Sequence, residues 1–371
     1  MNLKNKIFLT VFFLAAWNIG AQEQTVTEEQ PVTGERLDTN EQTETKEKTD
    51  EIVNLLNFQP IPGLNVFGHN FKKTTDIFLI GTIVGYGYHL KGFGSGALGL
   101  INSGRVQGLQ FSGIFNFANA GMDGFQTASI FNVAKGVTRG VQAAGIYNYA
   151  SGPFTGLQVS GGMNNIKGDM RGLQLGPINR RGKGDGVGVQ VGLLNFSESG
   201  YVIPIGLVNK VKGGMEHFSV FTDDMLFLNA GYRSGTKIFY SHSNIGIGGG
   251  LLSGKPGDDK LVINRSGFGF EFPIRKFFID IDISTGNIFK VNEAKDFLNF
   301  FFGSNTSIFQ LRLIGGYKMY ERLGIFAGIS YDFLYQSKNT DPSPENFAGA
   351  APAKSYGNKT HKMGFFGGVQ F

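Results

Sequence analysis

Apolar and polar residues alternate along long stretches of this chain, with the two-residue period of β-strands. Leu109 and Phe111, for example, fall on the face opposite Gln110. The alternation is sharper toward the C-terminal end, where Asp280 and Asp282 share one face and isoleucines occupy the other. The pattern therefore predicts an all-β protein.

The segment from 96 to 210 repeats itself every sixteen residues. The repeated glutamines, each in a Gly-x-Gln triplet, are Gln110, Gln126, Gln142, Gln158, Gln174 and Gln190. Asparagines follow five or six residues later, at Asn116, Asn132, Asn148, Asn164, Asn179 and Asn195. A fixed period of this length means that one strand-sized unit is copied, as in an array of stacked repeats or a closed sheet.

Two architectures fit these repeats, and we expect the first. It is a transmembrane up-and-down antiparallel β-barrel of about sixteen strands, formed by residues 61–371. Ten alternating residues followed by a turn match the length of a tilted membrane strand. The alternative is a β-solenoid repeat region carried by a smaller barrel, because parallel stacking would place identical side chains in ladders. A soluble all-β protein is the third reading.

The N-terminal residues predict export. Lys4 and Lys6 precede an apolar core from Ile7 to Ala16, and the small residue Ala21 stands at the expected cleavage point, as in a secretory signal peptide formed by residues 1–21. Residues 22–60 are mostly acidic and polar, and we expect them to be disordered because they cannot bury enough apolar surface. No later apolar run is long enough for a transmembrane helix.

The composition agrees with a barrel that faces lipid. The chain has 56 Gly and 36 Phe, only 17% charged residues and no Cys. The lack of Cys excludes disulfides, thiol nucleophiles and thiolate metal sites. The net charge of +5 comes from basic residues scattered among turns, without the helix face or aromatic-basic module of a nucleic-acid-binding protein. We therefore expect outer-membrane lipid, and no nucleic acid, as a partner.

One polar face of the predicted strands would line the interior of a barrel. Besides the six glutamines, the residues expected to face this lumen are Asn116, Asn132, Asn148, Asn164, Asp280, Asp282, Arg312, Lys318 and Asp332. We interpret the two aspartates as a lumen pair balanced by Arg312, Lys318 or Arg265. The glutamines and asparagines are first of all structural, since such side chains can bond one another.

No arrangement of residues predicts an enzyme, a metal site or a cofactor. The histidines lack the spacing of metal ligands. Ser241 and His242 are adjacent on a predicted strand, so their side chains point to opposite faces and cannot form a local nucleophile–base pair. A barrel lipid hydrolase that uses His242 is therefore only a weak alternative.

Two resemblances add to these expectations. The last strand, from Met363 to the terminal Phe371, alternates apolar residues and resembles the closing strand that bacterial outer-membrane barrels present to their assembly machinery. The Gly-x-Gln and Asn repeats resemble the bacterial family of surface repeat-containing proteins. That resemblance covers about residues 96–210; it implies exposure at the cell surface and supplies no activity, ligand or functional residue.

These observations predict an outer-membrane β-barrel protein of a bacterium, with a passive pore or a structural role. The alternative is a surface-exposed repeat module for binding or adhesion. Neither the residues nor the resemblances identify an extracellular ligand.

Overall fold

The computed structural model describes residues 52–62, 64–65, 74–226, 228–249, 260–290, 306–320, 323–336, 353–356 and 359–371. These residues form strands and turns, which confirms the all-β class. Among them there is no helix long and apolar enough to cross a membrane. The predicted signal peptide and most of the predicted acidic segment lie outside the described residues.

The repeat region forms two parallel sheets. The first sheet contains β1 (Ile52–Gln59), β2 (Thr74–Gly81), β4 (His89–Gly96), β6 (Val106–Ser112), β8 (Met122–Ala128), β10 (Thr138–Ala144), β12 (Phe154–Ser160), β14 (Met170–Leu175), β16 (Gly188–Val191) and β18 (Val202–Ile205). The second contains β3 (Val84–Gly87), β5 (Gly99–Asn102), β7 (Phe115–Ala118), β9 (Phe131–Ala134), β11 (Tyr147–Ala150), β13 (Met163–Ile166), β15 (Ile178–Arg181), β17 (Leu194–Ser197) and β19 (Val208–Val211). Each turn of the chain adds one strand to each sheet, so β1 to β19 form a β-solenoid.

The sixteen-residue period is the length of one solenoid rung. Gln142 lies beside Gln126 and Gln158 in the first sheet, and Asn148 lies beside its counterparts in the second. Such in-register parallel stacking places each side chain against an identical one, as it does in cross-β ladders. The sixteen-residue repeat in the sequence is therefore the number of residues in one rung.

The backbone requires glycine in five of the six Gly-x-Gln triplets, at Gly108, Gly124, Gly140, Gly156 and Gly172. Gly140 has a φ of 119°, in the region that side-chain-bearing residues avoid. A Cβ atom there would lie 1.9 Å from the carbonyl oxygen of Gly124 in the preceding rung. Rungs can approach this closely only when both positions lack a side chain, which explains why the triplet recurs.

The expected sixteen-stranded barrel is wrong, and the alternative of a solenoid with a smaller barrel is confirmed. The ten alternating residues of a repeat do not form one strand, because the chain turns a corner at Gly113 and Ile114. The two resulting strands, β6 and β7, have seven and four residues, fewer than a membrane strand needs. The solenoid also begins earlier than residue 96, since β1 lies within the segment 22–60 that we expected to be disordered.

The remaining strands are antiparallel and close into a barrel. They are β20 (Met215–Asp223), β21 (Leu228–Gly235), β22 (Phe239–Gly249), β23 (Lys260–Ile274), β24 (Phe277–Lys290), β25 (Thr306–Lys318), β26 (Gly324–Gln336) and β28 (Lys359–Gln370). Each pairs with its neighbour, and β28 pairs with both β26 and β20. A short strand, β27 (Ala353–Tyr356), pairs with the beginning of β28. The result is a closed eight-stranded barrel.

Inside and outside alternate along the barrel strands. On β24, Phe277, Ile279 and Ile281 are exposed, whereas Asp280 and Asp282 are completely buried. On β24 the charged side chains thus point inward, and large apolar side chains point outward.

The last rung of the solenoid is bonded to the barrel. The backbone N–H of Asn209 donates to Ser234 Oγ at 2.9 Å, and the Asn209 side chain donates to the hydroxyl of Ser241. Both serines are buried at this contact. The solenoid and the barrel belong to one compact unit, Asp50–Phe371.

Candidate functional site

The glutamines form a continuous ladder inside the solenoid. Gln142 Nε2 donates to Gln126 Oε1 at 2.9 Å, and Gln158 Nε2 donates to Gln142 Oε1 at 2.7 Å. The same bond links Gln174 to Gln158 and Gln190 to Gln174. Every one of these side chains is completely buried, so the ladder holds rungs together.

The asparagines form a second ladder and also bind backbone carbonyl groups. Asn148 Nδ2 donates to Asn164 Oδ1 at 3.0 Å and also to the backbone carbonyl of Val159 at 2.6 Å. Asn132 repeats both bonds one rung earlier, to Asn148 and to the carbonyl of Ala143. The five ladder asparagines from Asn116 to Asn179 thus each bind a backbone carbonyl of the first sheet near the corner, in addition to their neighbour in the ladder. A buried carbonyl without such a donor would be costly.

The ladders place the predicted glutamines and asparagines in the interior of the solenoid, and the expectation that they face a barrel lumen is wrong. An antiparallel barrel would set each glutamine beside a different residue on the neighbouring strand, whereas parallel rungs set it beside another glutamine. These side chains have no exposed surface, so a ligand cannot reach them in the folded state.

Arg181 is a charged residue inside the solenoid. It takes the ladder position that Ile166 occupies in the preceding rung, and its side chain is completely buried. Its guanidinium donates to the carbonyls of Gly186 at 2.8 Å and Tyr201 at 2.7 Å. Burial lowers the pKa of Arg181, and Asp169 at 3.6 Å counteracts this effect. The residue fixes the long turn after β15.

A network of ion pairs crosses the middle of the barrel. Arg233 Nη1 lies 2.5 Å from Asp280 Oδ2, and Arg312 Nη2 lies 2.6 Å from Asp282 Oδ2. The hydroxyl of Tyr240 also donates to Asp282. All five side chains are buried, and their opposite charges compensate one another, as buried charges must.

Further polar groups extend this network toward the end of the barrel where β20 and β21 are joined. Arg265 donates to Asp223 at 2.9 Å and to Asn229 at 2.6 Å. Gln310 donates to Asp332 Oδ1 at 2.6 Å. These bonds tie together five strands that are not all neighbours.

Aromatic and aliphatic side chains fill the interior space between the ion pairs. Phe221, Phe278, Phe326 and Phe366 pack in one buried cluster with Ile314. The guanidinium of Arg312 lies over the ring of Phe366 at 5.4 Å. A second buried cluster contains Leu226, Leu261, Ile263, Ile288, Ile308 and Leu334. The lumen of an eight-stranded barrel is just wide enough for side chains to fill, and here these two clusters occupy it.

A cavity of about 780 Å³ opens at the other end of the barrel. Its lining includes His217, Glu271, Lys318 and Phe371. Lys318 Nζ lies 2.6 Å from Glu271 Oε1 and closes the cavity toward the lumen. The cavity is thus a recess at the mouth of the barrel.

The structure separates Ser241 from His242, as their adjacency on a strand indicates. Ser241 contacts Asn209 of the solenoid. His242 points into the barrel, where its ring lies 3.0 Å from the amide of Asn244 and 3.7 Å from Asp282. The two side chains do not meet as a nucleophile and a base.

Asp280, Asp282, Arg312, Lys318 and Asp332 all lie in the barrel interior. Of the three predicted counter-charges for the aspartate pair, only Arg312 contacts it. Lys318 pairs with Glu271 and Arg265 with Asp223.

The sequence analysis did not select Arg233 or Tyr240, which complete the network. The sequence held a weak signal for Arg233. It lies at two-residue spacing from Gly231 and Asn229 and therefore shares the inward face of β21 with them.

The terminal residue closes the barrel. The backbone N–H of Phe371 donates to the carbonyl of Phe218, and Phe218 returns the bond, both at 2.8 Å. A role of Phe371 as an assembly signal stays a prediction.

No protein-family model, curated protein or solved structure matches this chain. Among the described residues, no group of three or more His, Asp or Glu is arranged to hold a metal ion. The argument for function therefore rests on the polarity and connectivity of the two parts of the fold.

Proposed function

We propose that this chain is a structural outer-membrane protein, whose barrel is embedded in the lipid bilayer and holds the solenoid at the membrane without conducting solutes. The observation that carries the proposal is the polarity of the barrel. Ion pairs occupy its inside, and large apolar side chains cover its outside. Outer-membrane barrels have this distribution because their outer surface meets lipid.

The apolar side chains form a continuous outer surface, which we call the apolar belt. It consists of Phe218, Val220, Leu228, Tyr232, Ile245, Phe268, Phe270, Phe272, Ile274, Phe277, Ile279, Ile281, Ile283, Phe309, Leu311, Leu313, Ile325, Ile329, Tyr331, Tyr335, Met363, Phe365 and Val369. Soluble monomers rarely expose an apolar patch of more than a few hundred Å². Lipid is the solvent that such a surface fits.

The filled interior argues against a pore. The Arg233–Asp280 and Arg312–Asp282 pairs lie across the lumen, and the buried phenylalanines occupy the space around them. Opening a path would require separating charges that have no access to bulk water. The structural role is therefore favoured over the passive pore.

The barrel and the absence of conductance are tested together on the full chain purified from outer membranes. We expect the unboiled protein to migrate differently from the boiled protein in a detergent gel, because a closed barrel resists unfolding in detergent. In planar bilayers we expect no sustained conductance. A gel shift with stable channels would keep the barrel and refute the closed lumen, whereas no shift and no membrane fraction would refute the barrel itself.

The connections between barrel strands favour one orientation. The connections at the end where the solenoid joins β20 are short, at 236–238, 275–276 and 319–323. At the opposite end three of the four are long, at 250–259, 291–305 and 337–358. Outer-membrane barrels have short turns in the periplasm and long loops outside the cell. The solenoid is thus on the periplasmic side, in contrast to the surface exposure implied by the repeat resemblance.

This orientation is tested with single cysteines, which the natural chain lacks. Ser253→Cys lies in a long connection, and Lys135→Cys lies in the solenoid. With a membrane-impermeant maleimide on intact cells, we expect labelling at 253 and none at 135 until the outer membrane is permeabilised. Labelling at 135 alone in intact cells would reverse the orientation and support the adhesion alternative.

A further inference from the structure

One corner of the solenoid carries a row of aliphatic side chains. The row consists of Ile83, Leu98, Ile114, Ile130, Ile146, Leu193 and Leu207, with Gly162 and Pro177 in two of the rungs. Backbone bonds from the N–H of most of these residues to the carbonyl one rung earlier, such as Ile130 to Ile114 and Ile146 to Ile130, keep the row in line. Ile146 is 49% exposed and Leu193 is 56% exposed.

The rows on both sides of this corner are also apolar. On the first sheet the outward row contains Phe111, Thr127, Ala143, Val159, Leu175, Val191 and Ile205. On the second sheet it contains Phe115, Phe131, Tyr147, Met163, Ile178, Leu194 and Val208. None of the residues in these three rows is charged. We call the three rows together the apolar ridge.

The opposite corner of the solenoid has the reverse character. It carries Arg105, Asp123, Lys135, Arg139, Lys167, Asp169, Arg171, Lys183, Asp185, Glu198 and Lys212. Ion pairs join several of them, including Arg139 to Asp123 at 3.5 Å and Arg171 to Asp169 at 3.7 Å. Val137 and Val187 are single exposed apolar residues on this corner. We call it the charged edge; with the ridge it makes the solenoid amphipathic in cross-section.

Two grooves between the solenoid and the barrel indicate which corner of the solenoid lies at the height of the apolar belt. One groove is lined by Val208 of the apolar ridge together with Phe218, Tyr232 and Glu216 of the barrel. Phe218 and Tyr232 belong to the apolar belt, and their rings lie 4.9 Å apart across β20 and β21. The ridge therefore runs into the belt.

The second groove lies nearer to the short turns at the end of the barrel. It is lined by Tyr201 and Lys212 beside the charged edge, and by Thr236, Lys237 and Ile238 of a short barrel turn. This turn follows the last residue of β21, at the end of the barrel that we propose faces water. Tyr232 lies within the strand, farther from that end. The charged edge is thus level with the water-facing turn, and the ridge is level with the belt.

We propose that the apolar ridge is a lipid-binding surface, and that the solenoid lies along the periplasmic leaflet with the ridge in the acyl region and the charged edge in water. The inference rests on the proposed membrane location of the barrel, since it continues the belt sideways. Amphipathic elements bind bilayers in this manner, with the apolar face below the headgroups. Lipid hydrocarbon fits the ridge because the ridge lacks charges and is continuous with a surface that already faces lipid.

The test uses the full chain with one cysteine at a time. Ile146→Cys reports on the ridge, Lys135→Cys on the charged edge, and Ile281→Cys on the belt. Each variant carries an environment-sensitive nitrobenzoxadiazole label and is reconstituted in phosphatidylcholine–phosphatidylglycerol vesicles with or without doxyl-labelled phosphatidylcholine, which quenches dyes in the acyl region. Unchanged gel mobility before boiling shows that the barrel of each variant is folded, and unchanged amide hydrogen exchange of β9 to β14 shows the same for the solenoid.

We expect quenching at 146 that matches quenching at 281, and none at 135. Quenching at 281 alone would overturn the lipid surface and leave the proposed function intact. No quenching at either 146 or 281 would overturn both. A blue-shifted emission at 146 without quenching would mean that protein, such as a second copy of this chain, covers the ridge, and would also refute the proposal.

Discussion

Replacing Asp282 by alanine is expected to have the largest effect on the barrel. The change leaves the Arg312 guanidinium and the Tyr240 hydroxyl in the interior without their carboxylate. Removing one partner of a buried ion pair costs about 3–5 kcal/mol. The urea concentration at which the barrel loses its unboiled gel mobility should therefore fall markedly.

Two further variants separate the effect of losing the charge on the urea midpoint from the effect of shortening a side chain. Ser284 is the next inward residue on β24, and its hydroxyl has no hydrogen-bond partner among the described residues, so Ser284→Ala should leave the urea midpoint almost unchanged. The double variant Asp282→Ala with Arg312→Met removes both charges and should recover part of the loss. Equal midpoints for Asp282→Ala and Ser284→Ala would show that the ion pair does not stabilise the barrel.

The second large effect is expected inside the solenoid, for Asn148→Ala. The variant removes the donor to Val159 O and Asn164 Oδ1 and the acceptor for Asn132. Each buried group left without a partner costs about 1–3 kcal/mol, so the expected loss is on the order of 4 kcal/mol. Amide hydrogen exchange of β9 to β14 should become faster, because local opening of these rungs becomes easier.

The matched control for this prediction is Thr155→Ala. Thr155 is exposed on the outward face of the neighbouring rung, and truncating it should leave exchange close to that of the natural chain. Exchange that responds equally to both variants would contradict the role of the asparagine ladder. Barrel resistance to urea should remain in both variants, since the altered bonds are confined to the solenoid.

The sequence predicted the periodicity better than the path of the chain. Alternation correctly placed Gln110 and Asn116 opposite Leu109 and Phe115, because the two strands of a rung share the two-residue period of a straight strand. It wrongly grouped Ile114 with the inward residues, since Ile114 lies on the exposed corner. It could not reveal the corner at Gly113 and Ile114, where the chain leaves one sheet for the other. The identical spacing of the glutamines was the better signal, since only parallel rungs place identical residues side by side.

The barrel was easier to predict because its strands are long and its two faces differ strongly. Asp280 and Asp282 were assigned to the inward face from alternation alone. The partner Arg233 was not assigned, because it lies three strands away on β21 and nothing local connects it to β24. Strand order and closure decide which inward charges meet, and alternation carries no information about either.

In-register stacking also determines how the solenoid can change in length. Removing or duplicating one whole repeat would leave Gln142 or its equivalent beside another glutamine, whereas a one-residue insertion within a strand such as β10 would shift its glutamine out of the ladder. Each added repeat would lengthen the array by about 4.8 Å, the spacing between neighbouring strands. The solenoid can therefore lengthen or shorten by whole repeats while the eight-stranded barrel stays the same.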